Sequence, residues 1–513
     1  MAQSSSGTEM RRTLSLTGLT VNAMALIAPG AFLWTTFQVQ AAQANGDATT
    51  AMDMWPGLLV ALVLAFLTAI SYAELANIYP HAGAGSSYFF AEAAFLDKEA
   101  AHHRKWARLS KFVIGWISHL YYWIYPGIMV AFSATLIVYI LGLFGLTLET
   151  WAQMLVAVVF AILNGAIAYR GISGSTLTAL VINVVQLTAL VAFSVLAIVF
   201  RMTHPELNYD HPMSMSVVMP HDLNNVLFQS IIAILLLVGF ESVTALGAEA
   251  MDPKKDIKRA ILLSLFIQGL FAYLFEYFAA NLMVSSALTA TTAAGEKVTG
   301  YAATAASSAP IGDMMQLIGD QMLGGTGLIL TVILAGTVVL ALIGTTLACL
   351  NTGVRITYAM GRDNELPSVL GILHAEHATP HVAIWILVAV AAIFGAYGVI
   401  GVDQLTQITL ASNIGTFIVY GFTNLIALVA FLGHRDQKVL QHIIVPLLGL
   451  IANLAMLGAI AYLSLAAGGA TSSNTTIAIG VDVVWLAIGG VFFVINSSRT
   501  GRALLEHQPT PSA

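Results

Sequence analysis

Glu241 follows Gly239 and Phe240 inside a long apolar run. An ionised carboxylate at the centre of a bilayer costs about 2.5–3.5 kcal/mol, so a side chain of this type there is a functional candidate by default. Three chemistries are open to it. It can carry a coupling proton, pair with a cationic substrate, or accept bonds from amides freed by a break in the backbone. The residues around it favour a break, because Gly239 tolerates dihedrals that other residues avoid. A matching interruption, Ala28-Pro29-Gly30-Ala31, stands in the first apolar run. There Pro29 removes one backbone N–H and clashes with the carbonyl four residues back. Unpaired N–H and C=O groups survive in lipid only beside a cavity, and paired breaks of this kind point to a substrate site at mid-membrane. The free amides of Gly30, Ala31 and Phe32, at the positive end of a half-helix, would receive an anionic group. The carbonyls from Leu235 to Val238 would receive an ammonium.

Further side chains are candidates for the same cavity. Glu276, within Phe275-Glu276-Tyr277, is a second buried-carboxylate candidate for coupling or gating. Phe240 is placed to swing over a bound molecule, and Phe32 and Trp34 follow the first break. Of Tyr121, Tyr122 and Trp123, at most one or two can line a cavity, since consecutive helical residues point different ways. Tyr122 is taken as the lining residue. Cys349 and Asn351 are small enough to leave room for cargo.

The elements that must position these groups follow from composition. The chain of 513 residues is 58% hydrophobic and 9% charged, against roughly 25% charged in soluble domains. It reads as an all-α integral membrane protein. Twelve apolar runs reach the roughly 20 residues a spanning helix needs: about 15–42, 55–79, 112–142, 151–169, 174–201, 226–250, 259–286, 327–360, 382–400, 403–432, 442–467 and 477–498. We refer to them as spans 1 to 12. Placing both ends in the cytoplasm puts Arg11, Arg12, the Lys98 to Lys111 cluster, Arg170, Lys254 to Arg259, Arg362, Arg435, Lys438, Arg499 and Arg502 inside, and only Arg201 and Lys297 outside. The expected organisation is a cytoplasmic tail 1–12, a five-span repeat 13–201, an extracellular loop 202–225, a second repeat 226–432, two peripheral spans within 433–498 and a cytoplasmic tail 499–513. An odd number of spans per repeat inverts the second copy, which explains why spans 1 and 6 carry the breaks. An amphipathic run from Ile311 to Ile318 predicts a surface helix over the extracellular entrance.

Four ordered segments carry a family resemblance. Gly239-Phe240-Glu241-Ser242 with Ala248 to Ile261 resembles the sixth-span signature of the amino acid–polyamine–organocation (APC) permeases. Ser71 to Leu75 with Tyr79 to Gly85 resembles that family's end of span 2. Asn164 through Arg170-Gly171-Ile172 to Asn183 resembles its turn between spans 4 and 5, and Arg355 to Asp363 with Leu366-Pro367 its exit from span 8. The resemblance implies a leucine-transporter-type inverted-repeat fold, alternating access, and amino acids or small amines as cargo. It implies a candidate cation site made by span 1 carbonyls and the hydroxyls of Thr345 and Thr346, for sodium or a proton as the coupling ion. Span 5 has no lysine between Val181 and Ile198, which excludes the variant that fills this site with a fixed charge. The family's glycine-rich first break is replaced here by Ala28-Pro29-Gly30.

Other chemistries are not supported. The lone Cys349 permits no intrachain disulfide and no cysteine-based metal site. His374-Ala375-Glu376-His377 lacks the H-E-x-x-H pattern, and Gly324-Gly325-Thr326-Gly327 has no following lysine. The net charge of -6 comes from dispersed acids, so no nucleic-acid partner is expected. The polar start Met1 to Arg12 lacks the features of a cleavable signal. The sequence therefore predicts a cell-membrane permease, a symporter or antiporter for amino acids or related amines, with no cofactor and no enzymatic activity. The alternatives are a polyamine- or ethanolamine-type amine permease or exchanger, a membrane sensor, and a channel. Oligomeric state is left open.

Overall fold

The computed structural model describes residues 14–27, 33–46, 48–80, 87–98, 105–171, 176–247, 249–292 and 294–504. Its helices are α1 (Leu16–Ile27), α2 (Leu33–Ala41), α3 (Met54–Ile78), α4 (Ser87–Lys98), α5 (Lys105–Leu143), α6 (Thr150–Tyr169), α7 (Thr176–Thr203), α8 (Ser214–Val218) and α9 (Leu223–Ala233). They continue as α10 (Pro253–Leu265), α11 (Leu274–Met283), α12 (Gly300–Ala306), α13 (Pro310–Met322), α14 (Gly327–Arg362), α15 (His381–Gly398), α16 (Val402–Phe431), α17 (Val445–Ala466) and α18 (Gly469–Thr500). Two small antiparallel hairpins, Ala44–Asn45 with Ala48–Thr49 and Thr289–Thr291 with Lys297–Thr299, sit in connecting loops. Among the described residues eleven helical stretches are long and apolar enough to cross a membrane. They coincide with spans 2 to 12. Span 1 is present as α1 and α2 on either side of residues 28–32.

Local chemistry sets the helix ends. Pro253, Pro310 and Pro446 stand in first turns, where a missing N–H costs nothing. For that reason span 7 begins at Pro253 rather than near 259: the polar Pro253-Lys254-Lys255-Asp256 turn is helical although it is not apolar. The Asp222 carboxylate accepts from the amides of Asn224 and Asn225 and caps α9. Span 12 also starts earlier than the apolar pattern, at Gly469. The expected amphipathic helix over 311–318 is α13, and its apolar face is buried.

Helix α5 is the central post, packed by α14, α15 and α16, while α1 packs against α10, α14, α7 and the segment after Gly239. Lipid-facing leucines and valines such as Leu155, Leu163 and Val181 stay exposed on the outer helices. Ion pairs, those of Arg108 and Lys111 buried, tie the end of the bundle where α10 begins and α14 ends. Arg108 Nε meets Glu365 at 2.8 Å, and Lys111 Nζ meets Glu92 at 2.6 Å and Asp363 at 2.5 Å. Lys258 pairs with Glu74 at 2.5 Å, and Arg355 with Glu249 at 3.3 Å. The backbone of Leu14 bonds those of Glu249 and Met251, which fastens the N-terminal stretch to the same end.

Candidate functional site

Span 6 is not one helix. After α9 the chain tightens into a 3₁₀ turn over Ile234–Leu236, passes Gly239 at φ +130°, and resumes as a 3₁₀ helix over Phe240–Leu246. That positive φ is a conformation L side chains rarely adopt. A Cβ at Gly239 would also lie 2.4 Å from Leu26 Cδ2 and 3.1 Å from the backbone nitrogen of Ile27. The glycine is thus required twice, by the turn and by the approach of α1.

The break frees backbone groups, and local side chains take them up. The Gly239 N–H donates to Glu241 Oε2 at 3.0 Å, and Ser242 Oγ donates to the Gly239 carbonyl at 2.6 Å. Glu241 gathers three further donors. Tyr121 and Tyr122 of α5 both donate to Oε1 at 3.1 Å, and Tyr420 of α16 donates to Oε2 at 3.1 Å. The carboxyl group is 2% exposed and makes four bonds, so both of its oxygens are engaged. It joins spans 3, 6 and 10 at one point. Both Tyr121 and Tyr122 turn inward, while Trp123 turns away and donates to Thr357.

An aromatic wall continues from there. Phe240 is fully buried, edge-on to Tyr72 at 6.0 Å between centroids and 5.5 Å from Tyr420. Leu235, Val238 and Cys349 are buried as well. The Leu235 carbonyl accepts a bond from Tyr125 at 3.5 Å. Residues Ala28, Pro29, Gly30, Ala31 and Phe32 lie outside the described residues.

The last turn of α1 carries carbonyls with no partner inside the helix, and neighbouring spans supply donors to them. Gln268 donates to the Met24 carbonyl at 2.8 Å, Thr345 to Ala25 at 2.9 Å and Tyr273 to Ile27 at 3.0 Å. Gln268 and Tyr273 come from a π-helical stretch, Phe266–Tyr273, a form often met at functional positions. Thr345 also bonds the Ala341 carbonyl of its own helix, whereas among the described residues Thr346 bonds Leu342 alone. Of the two candidate hydroxyls, Thr345 is therefore the one that reaches span 1.

Glu276 lies in α11 with neither carboxyl oxygen partnered among the described residues, and it is fully buried. Asp482 of α18 has the same properties at 2% exposure. Sequence reading passed over Asp482, although an acid in a valine-rich run is a signal of the same kind as Glu241. It also passed over Tyr72, Tyr420, Gln268 and Tyr273, whose roles depend on partners far along the chain. Asn351 lines a cavity of about 260 Å³ between α1, α7 and α14, together with Asn22, Asn183 and Gln186. His374 and His377 stack on each other in a loop. Among the described residues no group of three or more His, Cys, Asp or Glu side chains could hold a metal.

The family model described as amino acid permease matches residues 18–501. The branched-chain amino acid permease BcaP of Bacillus subtilis is 25% identical over 469 residues, 88% of each chain. The methylthioribose transporter of the same organism is 23% identical, covering 86% of each chain. The low-affinity putrescine importer PlaP of Escherichia coli is 23% identical over 86% of this chain and 87% of its own. A broken sixth span in a bundle of apolar helices and a match over nearly the whole length agree, and this multi-pass membrane protein belongs to the amino acid permease family, a family of transporters and not of enzymes.

Proposed function

We propose that the protein is a secondary active transporter that moves an apolar amino acid across the cell membrane by alternating access of two inverted five-span repeats, with both termini in the cytoplasm. The observation that carries the substrate class is the state of Glu241. Both of its oxygens are taken by Tyr121, Tyr122, Tyr420 and the Gly239 amide, so it has no free acceptor for the second ammonium of a diamine. The wall of Phe240, Tyr72 and Val238 suits an aliphatic side chain. The likeness to a branched-chain amino acid permease supports the same class, and the likeness to a putrescine importer is the reason to test a diamine beside it.

In this reading the amides of Gly30, Ala31 and Phe32 meet the substrate carboxylate. The carbonyls before Gly239 meet its ammonium, and Phe240 closes over it. Glu241 holds the break of span 6 against spans 3 and 10 and releases it when the site opens. Glu276 carries the coupling proton, since a carboxyl with no bonded partner is free to take and yield one. Thr345 with the Ala25 carbonyl is the competing sodium site.

The test is uptake of labelled leucine and putrescine into proteoliposomes under an inward proton gradient, with and without sodium. Saturable leucine uptake driven by the proton gradient is expected. Glu276→Gln should leave leucine exchange within about twofold while abolishing the response to the gradient, because exchange needs no net proton movement. Putrescine flux without leucine flux would overturn the substrate class, and sodium-driven uptake lost in Thr345→Ala would overturn the role of Glu276.

A further inference from the structure

A second recess lies on the membrane face where α5, α15 and α18 meet. It is a cleft of about 480 Å³ lined by His119, Trp123, Phe394, Val484, Trp485 and Ile488. Val484 and Ile488 are more than half or about half exposed, at 59% and 50%, so the cleft opens to the hydrocarbon rather than to the transport path. Its aromatic walls have no polar group to spare. The Trp123 indole N–H donates to Thr357 Oγ1 at 3.3 Å and that of Trp485 to the Trp116 carbonyl at 3.1 Å.

His119 is the exception. Its Nε2 is 3.1 Å from Thr357 Oγ1, and the Thr357 hydroxyl hydrogen is already committed to the Gly353 carbonyl at 2.8 Å. The hydroxyl oxygen has two lone pairs, which receive Trp123 and His119. With the Thr357 hydrogen assigned to Gly353, the matching tautomer carries its proton on Nε2 and leaves Nδ1 as an acceptor. Among the described residues that nitrogen has no partner, and His119 is 1% exposed. His119 stands one helical turn or less from Tyr121 and Tyr122, which reach Glu241, so it lies at the depth of the span 6 break. A charged headgroup is expensive at that depth.

We propose that this cleft is a binding site for a neutral bilayer-soluble alcohol, whose apolar body lies between Trp123, Phe394 and Trp485 and whose hydroxyl donates to His119 Nδ1. A ligand of this class supplies the one donor the cleft lacks and brings no charge to mid-membrane. An ether or alkane of the same shape fills the walls and leaves Nδ1 unpaired.

The purified full chain in lipid nanodiscs is titrated with a terminally brominated undecanol and with its methyl ether, and quenching of tryptophan fluorescence is read. Saturable quenching is expected for both, with the alcohol bound about 3- to 10-fold tighter, the worth of one hydrogen bond. His119→Phe should bring the alcohol down to the affinity of the ether. Gly480→Phe tests the site independently of the buried histidine. Gly480 lines the same cleft and a Cβ there meets nothing within 4 Å, so a ring at this position fills the recess and should abolish saturable quenching by both probes. Equal affinity of alcohol and ether in the native chain would overturn the proposal, as would saturable quenching that survives in Gly480→Phe.

Discussion

A carboxylate can be held in a membrane interior when every lone pair it offers is met, and Glu241 meets that condition with three phenols and one amide. The arrangement differs from a free proton carrier, whose carboxyl would stand without such a set of donors. Glu241→Gln replaces an oxygen by an amide NH₂ that faces donors, so at least one buried N–H or O–H loses its acceptor. We expect a loss of about 1–3 kcal/mol in stability and loss of substrate uptake, measured by thermal unfolding in detergent and by proteoliposome flux. Tyr420→Phe removes one donor and leaves a lone pair of the buried carboxylate unmet, so its cost should also be about 1–3 kcal/mol. A Glu241→Gln protein with native stability and native uptake would remove Glu241 from the latch.

At the scale of elements, the break in span 6 and the approach of α1 are one feature. Gly239 combines a positive φ with a Cβ position already occupied by Leu26 and Ile27. Gly239→Ala should cost about 2 kcal/mol or more, from backbone strain of about 1–3 kcal/mol plus the displaced contact, and should arrest transport. Native uptake in the alanine variant would show that the chain tolerates a continuous sixth helix. The ion pairs between α4, α5 and the end of α14 act on another axis. Lys111 is buried between Glu92 and Asp363. Lys111→Met removes the cation these acids share, and breaking a buried pair in this way costs about 3–5 kcal/mol. Poor expression or a thermal midpoint lowered by many degrees is expected, with rescue by an acid-to-amide change at Asp363.

For the whole molecule, closure at the two ends rests on different chemistry. Near the start of α10 it is ionic, through Lys258–Glu74 and Arg355–Glu249. At the opposite end it is a hydrogen-bond network around His211. His211 Nε2 lies 2.9 Å from Tyr301 Oη, Tyr301 donates to Asn281 at 2.5 Å, and His211 Nδ1 lies 2.9 Å from Ser216 Oγ. Burial, then the nearby His221 and Arg201, push the pKa of His211 from 6.5 down to about 4, against a smaller opposing effect of the bond with Ser216. Asp210, next to His211 in the chain, accepts from the Tyr301 amide at 2.8 Å, and Asp53 is paired to His221 at 3.2 Å. A histidine whose folded pKa is depressed binds its proton more readily in the unfolded loop. Its contribution to stability is present above pH 6.5 and is lost as pH falls from 6.5 toward 4. Hydrogen exchange in residues 209–217, corrected for intrinsic rates, should quicken by on the order of tenfold between pH 7 and pH 5, and His211→Gln should flatten that response. A profile unchanged by the substitution would assign the loosening to another group.

Membrane class, the positions of eleven long spans and the two short helices of the first, the glycine break in span 6 and a buried carboxylate at Glu241 were all legible in the residues alone. Each is a local property: apolar length, a residue that permits a positive φ, a charge where charge is expensive. What only the tertiary structure decided is the partnership of these groups. Spans that are apolar on every side carry little periodicity to say which face meets protein and which meets lipid. Nothing local could tell that Tyr122 and Tyr121 turn inward together, that Tyr420 completes the set from span 10, or that Gln268, Thr345 and Tyr273 close the end of α1. The same holds for the unpaired oxygens of Asp482 and the bare nitrogen of His119, since a missing partner is visible only when all possible partners have been placed.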